Sequence, residues 1–285
     1  MTIEEIVAER GARLARANLI DIAYTDTGSG PPLVLLHGAL ASTGPAWCGS
    51  PVAHVDHLGA LGERFRVIAP DTRGSGATVH PGGPATFDVL VADVIALIEV
   101  LGLERPSLAG FSEGGATATL VALARPDLVG ALVNHAGFDY FDPDAPAQQS
   151  LGPVFGGSPS ATSADPDAVE RAFQSSPEMA AVLATMKVDY DSAQGEGHWR
   201  DYIGQFFERH AAPFGHVIGD LSRLAVPTLF LAGDRDDFCS VESACVAYRT
   251  VPGAALGVVP DTAHEITGAS IAAMARHLCR QPVGV

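Results

Sequence analysis

The chain has 285 residues, 47% of them hydrophobic, with 17 Lys and Arg against 33 Asp and Glu, a formal net charge of −16. That is enough apolar material for a sizeable core, and a charged fraction of 18% argues against extended disorder. So acidic a surface repels phosphate backbones and anionic lipid, which excludes nucleic-acid and membrane-surface partners from the expectation.

The opening stretch, "MTIEEIVAERGARLAR", places Ile3, Ile6, Val7 and Leu14 on one helical face and has no apolar core of a signal peptide, so a short packed helix in a cytoplasmic protein is expected. Cys48, Cys239, Cys245 and Cys279 form no metal-ligand spacing and read as small hydrophobes in a reducing compartment. No apolar run is long enough to span a membrane.

"NLIDIAYTDTGSGPPLVLLHG" predicts two strands, a half-polar one over Leu19 to Tyr24 at a sheet edge and a fully buried one over Leu33 to Leu36. "FRVIAPD", Phe65 to Asp71, is a further buried strand. Thr86 starts a helix whose apolar positions Leu90, Val94, Leu97, Ile98 and Leu101 follow the 3.6 period, and Gly102 stops it. "PSLAGFS" and "LVGALVNHAGF" follow as strands, the first running straight into a helix. "VPTLFLAGD" and "AALGVVPD" come last, before a closing helix near Glu265. Strands alternating with helices predict an α/β fold, a mostly parallel sheet covered by helices on both faces.

From residue 137 to residue 224 the alternation stops. Helix-like pieces, "DAVERAFQSSPEMAAVLATMKV" and "HWRDYIGQFFERHAA", take over, with Tyr140, Phe141, Phe155, Phe173, Trp199, Tyr202, Phe206, Phe207 and Phe214. The expectation is a core domain over 1–136 and 225–285, with a helical cap over 137–224 inserted between two of its strands.

In a parallel sheet, chemistry collects at the C-terminal ends of strands. Three such ends here carry a nucleophile, an acid and a base. Ser112 sits in Gly110-Phe111-Ser112-Glu113-Gly114, a G-x-S-x-G in strand-turn-helix context, where small neighbours permit a sharp turn with the serine in a strained conformation. Asp236 lies in "GDRDD", beside its local rivals Asp234 and Asp237, and His264 in "DTAHE". A serine hydroxyl attacks poorly without a base, and the base needs a carboxylate to fix its tautomer. The glutamate that follows the serine admits two readings: a first-turn charge favoured by the helix dipole, or a carboxylate at a pocket mouth that selects against anionic acyl groups. His37 reads as a structural hydrogen-bonder and His135 as a core or pocket-wall residue. Arg73-Gly74-Ser75-Gly76 is a turn, with no Lys-Ser/Thr to make it a phosphate loop.

The pieces "PPLVLLHG", "FRVIAPDTRGSG", "GFSEGG", "LAGDRDDF" and "DTAHE", in the order Ser, Asp, His, make the chain resemble the α/β-hydrolase fold superfamily over nearly its whole length. Within it the resemblance is to the capped esterase, haloperoxidase-like and biphenyl-hydrolase-like groups. The resemblance implies Ser112 as nucleophile, His264 as base and Asp236 as acid. Asp139 is the alternative acid, because some relatives place that group after the strand before the cap. It further implies an oxyanion hole made by the backbone N–H groups of Ala39 and Glu113, with Leu40 the runner-up to Ala39. Candidates for the pocket lining are Leu40, Trp47, Phe138 and Trp199. The implied activity is hydrolysis of a small to medium carboxylic ester or lactone through an acyl-enzyme, with neither metal nor organic cofactor. A serine in place of an aspartate nucleophile argues against dehalogenase and epoxide hydrolase chemistry. The rivals are a cofactor-free perhydrolase or haloperoxidase, a carbon–carbon bond hydrolase, and a non-enzymatic ligand receptor on the same scaffold. The oligomeric state is left open, a homodimer included.

Overall fold

In the computed structural model of the chain, residues 3–47, 56–142, 166–174, 177–211 and 214–280 are described, so Cys48 and Phe155 lie outside the described residues. Helix α1 (Ile3–Glu9) leads into a hairpin, β1 (Arg13–Ala17) and β2 (Ile20–Thr27). The helix is shorter than its sequence pattern suggests. Leu14 belongs to β1 instead, because Asn18 and Leu19 take positive φ values of 44° and 66° and turn the chain tightly back on itself. That added edge strand is the one the sequence reading lacks.

There follow β3 (Pro32–Leu36), α2 (Thr43–Trp47), α3 (His57–Gly62), β4 (Arg66–Pro70), α4 (Phe87–Val100), β5 (Ser107–Phe111), α5 (Glu113–Ala124) and β6 (Leu132–His135). Helices α6 (Pro166–Phe173), α7 (Pro177–Gln194) and α8 (His198–Ala211) lie between β6 and β7 (Thr228–Gly233), and the chain closes with α9 (Val241–Thr250), β8 (Ala255–Val259) and α10 (Gly268–Leu278). What reads in sequence as one long helix from Asp167 is thus two, α6 and α7, with Pro177 opening the second. Helix α4 begins after Thr86 as expected, although the Thr86 hydroxyl makes no capping bond. The closing helix starts at Gly268, where Thr267 and Ser270 form a capping box.

The eight strands form one sheet in the order β1-β2-β4-β3-β5-β6-β7-β8, antiparallel for the first two pairings and parallel from β4 to β8. The uniformly apolar strands are explained by burial on both faces. Val34, Leu36, Ile68, Phe230 and Ala232 pack into one core, while Leu33, Leu35, Val67, Ala69, Leu229 and Leu231 pack into the other. Each of the Val, Leu, Ile and Phe side chains among them contributes roughly 1.5–3 kcal/mol by leaving water. The winding reverses between β3 and β5, since β4 lies on one side of β3 and β5 on the other. The crevice at such a reversal is where parallel α/β sheets gather ligands, and the loops after β3 and β5 meet there. Among the described residues, no helix is long and apolar enough to cross a membrane.

Candidate active site

Ser112 stands between β5 and α5 at φ 52° and ψ −122°, a conformation non-glycine residues rarely hold. Its neighbours maintain it. The Ser112 N–H donates to the His135 carbonyl at 2.8 Å, and the Ala116 N–H donates to the Ser112 carbonyl at 3.0 Å. A Cβ on Gly114 would run into the carbonyl oxygens of Leu36 and His37, and one on Gly110 into the backbone of Gly114. The two glycines of the motif are therefore demanded by close packing of α5 on β3 and on the end of β5.

His264 reaches this serine from the loop after β8, with Nε2 3.0 Å from Ser112 Oγ. Its Nδ1 lies 2.9 Å from Asp236 Oδ2, supplied by the loop after β7. The other Asp236 oxygen, Oδ1, accepts the N–H groups of Phe238 and Cys239, both at 2.8 Å. With its side chain 1% exposed, the carboxylate is fixed in place and its charge is well solvated by donors. The rings of Phe111 and Phe238 flank the imidazole at a tilt, with centroids at 4.7 and 5.2 Å. The rival acids go elsewhere. Asp234 accepts the Thr262 N–H, Asp237 is exposed, and Asp139 is fully buried without a hydrogen-bonded partner for either oxygen. Burial pushes the Asp139 carboxyl up to about 7, with Asp236 adding to the rise and the nearby Ser243 and Ser240 partly offsetting it.

Two other histidines lie near the strand ends. Thr72 N–H donates to His37 Nε2 at 3.0 Å, so Nδ1 carries the proton and donates to the Gly38 carbonyl at 2.7 Å; His37 ties the loop after β3 to the loop after β4. His135 is buried beneath the Phe111 ring, 5.0 Å between centroids, and burial drives its imidazole down to about 3.

Glu113 stands in the first turn of α5, as one of its sequence readings has it, but its carboxylate is a buried, paired group and not a bare charge at a pocket mouth. The side chain is 3% exposed, and Oε2 accepts Nε–H of Arg209, itself 2% exposed, at 2.8 Å. His210, the next residue of α8, lies with Nε2 3.9 Å from the same oxygen and 3.4 Å from the Tyr140 hydroxyl. Burial lowers the His210 imidazole to about 4, so it is uncharged, with Nδ1 bonded to the Phe206 carbonyl at 2.8 Å.

Helices α7 and α8 also grip the loop after β3. The Leu40 N–H donates to the Tyr202 hydroxyl at 3.2 Å, and the Tyr190 hydroxyl donates to the Ala41 carbonyl at 2.7 Å. Ala39 and Leu40 pack against the aromatic cluster of α6 to α8. Leu40 thus has its amide committed to a side chain. Three of the four residues expected in the pocket lining are packed into hydrophobic clusters. Trp47 is fully buried behind the sheet with its ring edge-on to His57, 6.5 Å between centroids. Phe138 is fully buried against Phe230, because the chain enters the core immediately after β6. Trp199 packs inside the helical insertion, flanked by Lys187 Nζ and the Arg200 guanidinium, each 4.5 Å from its ring centre. The residues that sequence reasoning missed are Arg209 and His210, and it gives Tyr140 and Tyr202 no role beyond membership of the aromatic-rich helical stretch. Tyr202, Phe206 and Arg209 follow i, i+4, i+7, so the signal was an arginine on the apolar face of an amphipathic helix.

Among the described residues no cluster of His, Cys, Asp or Glu could hold a metal ion. A protein of Synechocystis sp. that carries the name non-heme chloroperoxidase is 28% identical over 87% of this chain and 89% of its own length. Among solved structures, the meta-cleavage product hydrolase from Pseudomonas fluorescens IP01 superposes with a TM-score of 0.70 at 19% identity, covering 94% of this chain and 96% of that one. A thermophilic esterase from Thermogutta terrifontis gives 0.68 at 24% identity, covering 94% and 98%. The family model described as alpha/beta hydrolase fold matches residues 31–267, and with the sheet order and the strand-end site this shows that the chain belongs to the α/β-hydrolase fold family.

Proposed function

We propose that this hydrolase cleaves a small to medium carboxylic ester or lactone through an acyl-enzyme formed on Ser112. The observation that carries the reading is the continuous line from Asp236 Oδ2 to His264 Nδ1 at 2.9 Å and from His264 Nε2 to Ser112 Oγ at 3.0 Å. In this reading Ser112 Oγ attacks the substrate carbonyl carbon while His264 Nε2 takes its proton. The imidazolium so formed is stabilised by Asp236, which holds Nδ1–H toward itself and leaves Nε2 free to act. Collapse of the tetrahedral adduct breaks the bond to the leaving oxygen, which departs with the proton from Nε2. Water then repeats the sequence on the acyl-serine, giving the acid and returning the proton to Ser112.

The developing oxyanion is assigned to the N–H groups of Ala39 and Glu113. Glu113 is the first residue of α5, and the first N–H groups of a helix have no partner within it. The commitment of the Leu40 amide to Tyr202 favours Ala39 over Leu40 as the second donor. The insertion from 137 to 224 is read as a cap over this crevice, supported by the contacts its helices make with the loop after β3 and with Glu113.

The test is turnover of p-nitrophenyl esters of graded acyl length, with the acyl-enzyme trapped by mass spectrometry. A fluorophosphonate should label the wild type once. Ser112→Ala should lose labelling and lower kcat by about four orders of magnitude or more while folding normally. A parallel arm supplies acetate and hydrogen peroxide, because the Synechocystis relative's name makes perhydrolysis the reading to separate. Ester turnover at wild-type rate in Ser112→Ala would sink the proposal.

A further inference from the structure

We propose that helix α8 holds both walls of the oxyanion hole in register, so that Tyr202 and Arg209 are positioning residues for chemistry they do not touch. The inference rests on the assignment of Ala39 and Glu113 as the oxyanion donors. One wall is the loop after β3. Leu40, adjacent to Ala39, sits at φ 60°, a left-handed conformation a leucine does not hold on its own. Hydrogen bonds from outside the loop maintain it: Leu40 N–H to the Tyr202 hydroxyl at 3.2 Å, and the Tyr190 hydroxyl to the Ala41 carbonyl at 2.7 Å.

The other wall is the first turn of α5. There the strained Ser112 is followed by Glu113, whose carboxylate is held by Arg209 Nε at 2.8 Å in a place that excludes solvent. Tyr202 and Arg209 lie on one face of a single helix, two turns or about 10 Å apart along its axis. The gap between the two donors is therefore spanned by one rigid element of the insertion. Neither side chain is assigned a role toward substrate. Their effect is on where two N–H groups point, and donors aimed at the transition-state charge lose much of their value when displaced by even about 1 Å. The consequence is that the insertion is needed for the chemical step itself, even with an acyl group too small to touch it.

The experiment uses the full chain with p-nitrophenyl acetate, an ester of minimal acyl size. Tyr202→Phe removes the hydroxyl that accepts Leu40 N–H and that also interacts with the Tyr190 hydroxyl, and Glu113→Gln with Arg209→Met removes both members of the ion pair, so neither leaves a buried charge alone. Each is expected to lower kcat about tenfold with KM within about twofold. Affinity for phenylboronic acid, which mimics the tetrahedral adduct, should fall by the same factor as kcat/KM, and inhibition by acetanilide, an unreactive ground-state analogue, should not change. Ser112→Ala is measured alongside. If it keeps turnover, the acyl-enzyme reading fails and this proposal with it. If it loses turnover while both other variants keep kcat within twofold, or raise KM alone, the positioning role is overturned and the acyl-enzyme reading stands.

Discussion

Asp236 Oδ2 lies 2.9 Å from His264 Nδ1, while Oδ1 of the same carboxylate accepts two backbone N–H groups, those of Phe238 and Cys239. The carboxylate is held from one side and holds the imidazole from the other. Asp236→Asn preserves the shape but offers an amide that can present its NH2 to Nδ1 and stabilise the wrong tautomer. Turnover of an aryl ester should fall by about 10⁴, whereas Asp234→Asn, Asp237→Asn and Asp139→Asn should stay within several-fold of wild type. Steady-state kinetics on the four variants decide it, and a comparable loss in Asp139→Asn would move the acid to the end of β6.

Asp139 should instead reveal itself in stability. Burial raises its carboxyl from 3.8 to about 7, so the folded chain keeps this proton where the unfolded chain has released it. Below the unfolded value both states are protonated and the group costs nothing. As pH climbs toward 7 the unfolded state is increasingly favoured, and above 7 the full penalty is present. Asp139→Asn removes the titration. Urea denaturation from pH 4 to pH 8 should show the variant gaining on wild type with rising pH, by up to about 4 kcal/mol. A stability difference that does not vary with pH would mean that Asp139 finds a partner and ionises normally.

The glycines of the elbow make a sharper structural test. In Gly114→Ala the new methyl would meet the backbone oxygens of Leu36 and His37, which are fixed by the sheet. Several kcal/mol of destabilisation or failure to fold is expected. Gly204, in the middle of α8, is exposed and has open space where a Cβ would go. Gly204→Ala should raise stability by about 0.4–1 kcal/mol, by helix propensity and reduced freedom of the unfolded chain. Thermal denaturation of the two variants separates a steric glycine from an incidental one.

What could be read in advance followed the strength of the local signal. Strands buried on both faces announce themselves as apolar runs, so β3 to β7 were legible, and β8, a half-exposed edge strand, was legible by its apolar composition; with them came the strand ends where Ser112, Asp236 and His264 meet. The hairpin strand β1 was not legible, because "RLARA" alternates weakly and its register depends on a turn at Asn18 and Leu19 that has no glycine. The contents of the insertion were legible as helices but not as neighbours. Which side chain of an amphipathic helix meets which loop depends on how the helix is laid over the sheet, and no spacing encodes that. Large aromatics such as Trp47, Phe138 and Trp199 suit a pocket wall and a core equally by sequence, and in the structure all three are buried in hydrophobic clusters.

Glu113 and Arg209 give the last test. Both side chains are at most 3% exposed and are joined by the Nε–Oε2 bond at 2.8 Å, so each is the neutralising partner of the other in a low-dielectric setting. A buried pair of this kind adds little net stability over an apolar pair of similar size, because desolvation offsets much of the attraction. Breaking it is another matter. Arg209→Met leaves the Glu113 carboxylate buried beside the neutral His210 imidazole, and a loss of about 3–5 kcal/mol is expected. Adding Glu113→Gln in the same chain removes the stranded charge and should recover most of that loss. The double-mutant cycle in urea at pH 7 should therefore give a coupling energy of at least about 2–4 kcal/mol, since each single change strands a partner and the double change strands none. Coupling below about 0.5 kcal/mol would mean that water reaches the pair and screens it, as at a surface site. Helix α8 would then be attached to the elbow more loosely than the 2.8 Å contact implies.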